Sequence, residues 1–356
     1  MSAIQELPEK DKDEILPVFS LKGWVGSIKL ENTFKRIDKA INGRLWVADI
    51  DQNFIDGAKD EEGKYPRDVF YEIEDLLKSN DGYKNWCDLV SSIDNAIPVL
   101  QLKDSAQFKT QLNRLSALGR GVVLRFGFDD ITSRRFVEFL QAVEEEQIND
   151  IFIVFDFGQI TTQLVTQESI NNIVGILNYV NELITLPLIS ISGSSFPSSF
   201  SPFENGENPI VERLLFNRIK LEANDHRLIY SDRGSARVEK SGGGGGVPTP
   251  RIDYPLFNDW RFVRKEFEGA GDPTKEEKSI LYTLAAKQVI ASNYWDEKLD
   301  LWGSQLIELT AKGDSYGINN PQKCTAARIN IHLYLQLHYD LQGQDDLYDT
   351  DEDWED

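Results

Sequence analysis

The chain has 356 residues, with 38 Lys and Arg against 59 Asp and Glu, and its formal net charge of −21 argues against a broad nucleic-acid-coating surface. With 40% apolar, 11% aromatic and 27% charged residues it has the material for a large packed core rather than a disordered chain. Two cysteines, Cys87 and Cys324, exclude a disulfide framework and make a reducing cytosol the expected setting, while the sequence offers neither an apolar signal core nor a run of about 18 apolar residues that would span a bilayer.

Residues 15–22 form a short apolar run that suits a buried strand, and 31–42 place Phe34, Ile37, Ala40 and Ile41 on one side at helical spacing. The pair recurs as a strand at 44–51 and a helix over 68–93 that breaks around 79–82. A strand at 97–102 precedes a helix at 105–118, and a strand from 121 precedes a helix at 133–146. The fifth strand, 151–157, is nearly continuous in β-branched and aromatic residues, as expected when both faces are buried. Its helix is 168–183. The sixth strand, 186–192, leads through a Ser/Pro loop to a helix at 210–221, and the seventh is 227–231. Residues 259–265 supply an eighth strand signal, followed by a helix at 275–291.

Eight strand signals alternating with helices imply parallel strands and right-handed crossovers, and predict an α/β fold of the (β/α)₈, TIM-barrel-like kind. An open doubly wound sheet is the rival, since periodicity does not report closure. That fold normally carries a Gly-rich turn after its first strand, where this chain has Lys22-Gly23-Trp24. Regularity fails at 238–258, where five glycines at 242–246 and a Pro-Thr-Pro segment replace a helix. In a barrel this insertion, between strands seven and eight, leaves the functional face. The expected organisation is a flexible N-terminus (1–14), the barrel (15–292), a C-terminal helical extension packed on it (293–341) and an acidic disordered tail (342–356).

The segments at 16–24, 49–51, 97–101 and 119–125 resemble the "beta protein" family, and the resemblance runs from about residue 15 to 341. That family occurs in phages and bacterial genomes, often in mobile or defence-associated neighbourhoods. The resemblance implies a setting in phage–host conflict. It brings no catalytic mechanism and no residue roles.

In a barrel, chemistry gathers at the carboxyl ends of the strands, which here carry Lys22, Asp49, Asp51, Gln101, Lys103, Arg125, Asp156, Ser192, Asp232 and Arg233. Asp49, Asp51 and Asp156 could offer oxygens to a hard cation such as Mg²⁺, or act as general acids or bases. Strand alternation turns Asp49 and Asp51 to one side, so both face the interior or neither does. Lys22 is the one Schiff-base candidate, and solvated strand ends are the plain alternative for all four. Arg233, Arg237 and Arg251, set among small residues, are candidate anion ligands, joined by Gln101, Lys103 and Arg125; a mobile surface loop is the competing reading of the glycine run. Ser190 to Pro197 does not spell a nucleophile elbow, and His226, His332 and His338 end no strand. A Ser-His-Asp hydrolase and a His-rich zinc site are therefore disfavoured.

Two functions remain open. One is a cytoplasmic recognition or regulatory component that binds another protein or an anionic ligand. The other is a Mg²⁺-dependent enzyme acting on a nucleotide or other phosphate-bearing molecule. Direct binding of duplex DNA ranks last.

Overall fold

The computed structural model describes residues 1–223, 227–238, 247–269 and 272–342. The glycine run at 242–246 and the acidic tail beyond 342 lie outside the described residues.

Two short helices open the chain, α1 (Ser2–Gln5) and α2 (Glu9–Asp13). Then follow β1 (Val18–Leu21), α3 (Glu31–Ile41), β2 (Trp46–Ile50), α4 (Asp68–Leu76), α5 (Asn80–Ser91), β3 (Ala96–Pro98), α6 (Phe108–Ser116), β4 (Val122–Gly127), α7 (Phe128–Ile131) and α8 (Arg134–Glu145). The second half comprises β5 (Ile151–Gln159), α9 (Gln167–Leu183), β6 (Leu188–Ser194), β7 (Asn205–Pro209), α10 (Val211–Ala223), β8 (Leu228–Tyr230), β9 (Arg251–Pro255), β10 (Asp259–Arg264), α11 (Lys275–Ile290), α12 (Trp302–Ala311) and α13 (Pro321–Leu337).

The fold is mixed α/β. Strands β1-β2-β3 and β4-β5-β6-β8 form two parallel sheets in chain order, and a parallel bridge between Val99 and Val123 joins them. Helices cover one face. Alternate residues such as Trp46, Ala48, Leu124, Phe126, Ile153 and Phe155 enter a core shared with those helices. On the opposite face Val47, Val99, Val123 and Val154 pack against one another. This face is concave, because residues of β1, β3, β5, β6 and β8 line a single cavity against it. Among the described residues no ladder joins β8 to β1.

The expected eighth barrel strand is corrected. β10 occupies 259–264, but it runs antiparallel between β7 and β9 in a separate three-stranded sheet. Its short connection to β9, Leu256 to Asn258, permits a hairpin and leaves no room for the crossover that parallel pairing requires. Alternation puts Trp260 and Phe262 against Phe196 and Phe200 in a small aromatic core. The Pro-Thr-Pro insertion therefore leads into a strand rather than a loop.

The expectation of a flexible N-terminus also fails. Ala3 and Leu7 are buried, Asn330 of α13 donates to the carbonyls of Ala3 (2.9 Å) and Glu6 (3.3 Å), and His338 meets Asp11 at 2.9 Å. Asp11 thus meets the residue that follows α13, while Glu9 and Asp13 pair with Arg44 ahead of β2.

Candidate functional site

The concave face continues past the carboxyl ends of the strands into a cavity of about 1810 Å³. Asp49 and Asp51 both line it, as strand alternation requires, together with Lys22, Lys103, Arg125, Asp156, Arg233, Arg237 and Arg251. Gln101 sits behind this wall, buried, with its amide 3.4 Å from Asp49 and 3.2 Å from Gln52.

Arg125, projecting inward from β4, is the centre of the polar network. It donates to Asp49 on β2 (2.6 Å) and forks onto Asp156 on β5 (2.5 and 3.0 Å), and Arg233 reaches the same Asp156 oxygen at 2.7 Å. Burial works against the Arg125 charge, but Asp49 and Asp156 outweigh it and hold the guanidinium above its ordinary pKa. Burial likewise works against the Asp156 carboxylate, and Arg125 and Arg233 hold it below the usual carboxylate range. Asp49 and Asp156 thus meet through an arginine. Among the described residues no group of three or more His, Cys, Asp or Glu side chains is gathered as a metal site. Lys22 stands apart from this centre, half-exposed, with its ammonium 2.8 Å from Asp51.

A second cluster borders the same cavity. Arg251 holds Asp253 with two bonds (2.5 and 2.9 Å), and Arg328 of α13 reaches the other side of that carboxylate at 2.6 Å. One carboxylate serves two guanidiniums. Asp253 is buried, which opposes its charge, and the two arginines pull its pKa down. Arg237, bonded to the Pro197 carbonyl at 2.9 Å, lies close to both; after burial, the charges of Arg251 and Arg328 are what lower its pKa. Phe200 stacks beneath Arg251 and Phe196 beneath Arg328, with guanidinium carbons 3.6 and 3.9 Å from the ring centroids. Thr249 and Thr325 add hydroxyls to the lining.

Arg233, Arg237 and Arg251 line one cavity, and Arg328 and Asp253, which the sequence did not single out, join them there. A signal existed on α13. Arg328, His332 and Gln336, spaced by four, form a polar stripe on one face of a largely apolar helix, and all three are buried. His332 meets Asp232 at 2.7 Å, and Gln336 accepts from Arg213 at 2.7 Å. Ser195 bonds Glu212 rather than a histidine, so serine and histidine belong to separate acidic pairs.

The fold and the cavity define a mixed α/β protein with an arginine-rich pocket at the carboxyl ends of parallel strands. A family model described as "Beta protein" matches residues 1–338, and the chain belongs to that family. It is similar to "Protein beta" of Enterobacteria phage P4, 27% identical over 364 residues, an alignment that covers 100% of this chain and 94% of the phage protein. No solved structure matches the chain. Among the described residues no helix is long and apolar enough to cross a membrane.

Proposed function

We propose that the chain is a recognition or regulatory component of phage–host conflict that binds an anionic small molecule, a nucleotide or other phosphate ester, at the mouth of a barrel-like fold. In this reading α13 covers the seam between β8 and β1, since Ile329 and Leu333 line the same cavity as residues of both strands. The observation that carries it is the cluster of Arg237, Arg251 and Arg328 around the single carboxylate of Asp253. Guanidiniums packed this closely repel one another, and a dianionic phosphate relieves that repulsion while accepting their forked N–H groups. The phage relative supports the biological setting. A protein partner and a cytoplasmic site of action complete the proposal.

Thermal unfolding with inorganic phosphate, ATP and GMP tests it. A ligand at a hundredfold excess over its Kd should stabilise the fold by about 2.7 kcal/mol. Arg237→Ala removes a cavity arginine without unpairing Asp253, and should abolish the shift measured against the variant's own ligand-free midpoint. Unchanged midpoints with all three ligands would sink the reading.

Mg²⁺-dependent turnover is the second reading. It is supported by Asp51, whose carboxylate lines the same cavity beside Lys22. Phosphate release that requires Mg²⁺ and disappears in Asp51→Asn would replace simple binding by catalysis.

A further inference from the structure

The other end of the concave face is built differently. Val47, Val99, Val123 and Val154 fill the part formed by β2 to β5. Across from them, β1 and β6 present Ser20, Ser190 and Ser192, too small to meet the opposite wall. A cavity of about 1170 Å³ results, which shares Ser20, Arg125, Asp156, Arg233, Ala236 and Arg237 with the arginine-rich mouth. Val18, Leu188 and Ile229 line it and remain 40%, 51% and 41% exposed. Their neighbours Ile189, Ile191 and Leu228 point the other way and are buried in the main core, so strand alternation commits these three to the cavity.

Three residues of its lining carry a buried polar atom without a hydrogen-bond partner among the described residues: Arg120, through Nε, just before β4, and, farther along the strands, Ser190, through its hydroxyl and with no exposed surface, and Arg233, through Nε. Arg233 uses its Nη2 on Asp156, which leaves the Nε–H to point elsewhere. Unsatisfied buried donors are costly and uncommon in native folds. Ser190 and Arg233 lie toward the carboxyl ends of the strands, past the apolar residues of the chamber, where an acceptor on a bound molecule would satisfy their donors.

We propose that this chamber is a second ligand site, which takes a single-chain amphiphile with its apolar chain against Val18, Leu188 and Ile229 and its carboxylate toward Arg233 and Ser190. The four-residue span from Leu188 to Ser192 gives the chain roughly 13 Å of strand to lie along. A carboxylate suits that end because Ser190 and Arg233 both offer donors and Arg233 is cationic. An alcohol head satisfies one donor without charge, and an ammonium head repels Arg233. Arg237 borders both cavities, but this site uses Ser190 and Arg233 and does not depend on the phosphate reading, which rests on the grouping of Arg237 with Arg251 and Arg328.

The test is displacement of the fluorescent fatty acid cis-parinarate from the full chain, with laurate, dodecanol and dodecyltrimethylammonium compared below their micellar concentrations. Laurate should displace the probe saturably at one equivalent, dodecanol at least tenfold more weakly, and the ammonium not at all. Leu188→Trp fills the chamber and should weaken laurate at least tenfold, with any phosphate-induced thermal shift retained. Arg233→Met leaves Asp156 paired with Arg125, so it keeps the test decisive where Leu188→Trp fails to fold; it should erase the preference for laurate over dodecanol. Equal displacement by all three amphiphiles, or wild-type laurate binding by either folded variant, would overturn the site.

Discussion

Burial changes the acid–base chemistry of Glu212 on α10. One carboxylate oxygen accepts from the Ser195 backbone N–H (2.9 Å) and hydroxyl, while the other is buried without a partner among the described residues. Burial, and then the nearby Asp232 charge, push its pKa up to about 7 from 4.5, and the Ser195 hydroxyl, a backbone hydrogen bond and His332 offset this only in part. Between those values the folded state holds the proton more tightly than the unfolded chain. The resulting stabilisation is fully present below about pH 4.5 and is lost as pH rises through 7, a change of roughly 3 kcal/mol. Asp232 works in the opposite sense at lower pH, because His332 and Tyr230 hold its carboxyl below the usual range against the effect of burial. Urea unfolding from pH 5 to 8 should therefore show falling stability in the wild type and a nearly flat profile in Glu212→Gln, whose amide oxygen keeps the Ser195 bonds. An unchanged slope in the variant would show that another group carries it. Ser195 was readable as a polar loop residue, whereas its acidic partner lies 17 positions away on a different element.

At the scale of elements, the break in the long helix at 79–82 is as informative as the helices around it. Asp81, Gly82 and Tyr83 all take positive φ at the start of α5. The Gly82 N–H donates to Gln107 at 2.8 Å, and a Cβ at this position would meet Thr110 at 2.6 Å. Strained backbone and close approach to α6 both act against a side chain, so Gly82→Ala should cost about 2–3 kcal/mol in urea unfolding. A loss under 0.5 kcal/mol would mean that α6 yields easily. The seven parallel strands were legible because each carries a short run of mostly apolar residues between turn signals. β7 was not, since its Asn-Gly-Glu-Asn-Pro sequence has no strand propensity of its own. Pairing with the aromatic strand β10 makes it a strand. β10 was recognised as a strand, but its direction depends on β9, whose flanking prolines read as loop.

For the whole molecule, the two ends of the chain meet. The buried amide of Asn330 accepts from the Gly303 N–H at 2.9 Å and donates to the carbonyls of Ala3 and Glu6, tying α12, α13 and the N-terminal helices through one side chain. Asn330→Ala leaves three backbone groups unpaired and should cost about 2–4 kcal/mol, measured by thermal or urea unfolding. A neutral result would show that water satisfies them. Net charge misleads at this scale as well. The chain carries −21 overall, yet its mouth gathers Arg233, Arg237, Arg251 and Arg328, because surface acids set the sum while folding sets the local field.

Periodicity alone determined the seven parallel strands, the helices between them, their βα order, and the fact that Asp49 and Asp51 share one face, because these follow from backbone geometry within a few residues. The meeting of the carboxylates through Arg125, 76 residues from Asp49, was decided by strand order and register. The antiparallel turn of β9 and β10, the folded N-terminus and the recruitment of Arg328 and His332 from the last helix were likewise decided by tertiary structure. Each depends on which distant partner is present to satisfy a buried charge or a backbone edge, and local sequence does not encode that choice.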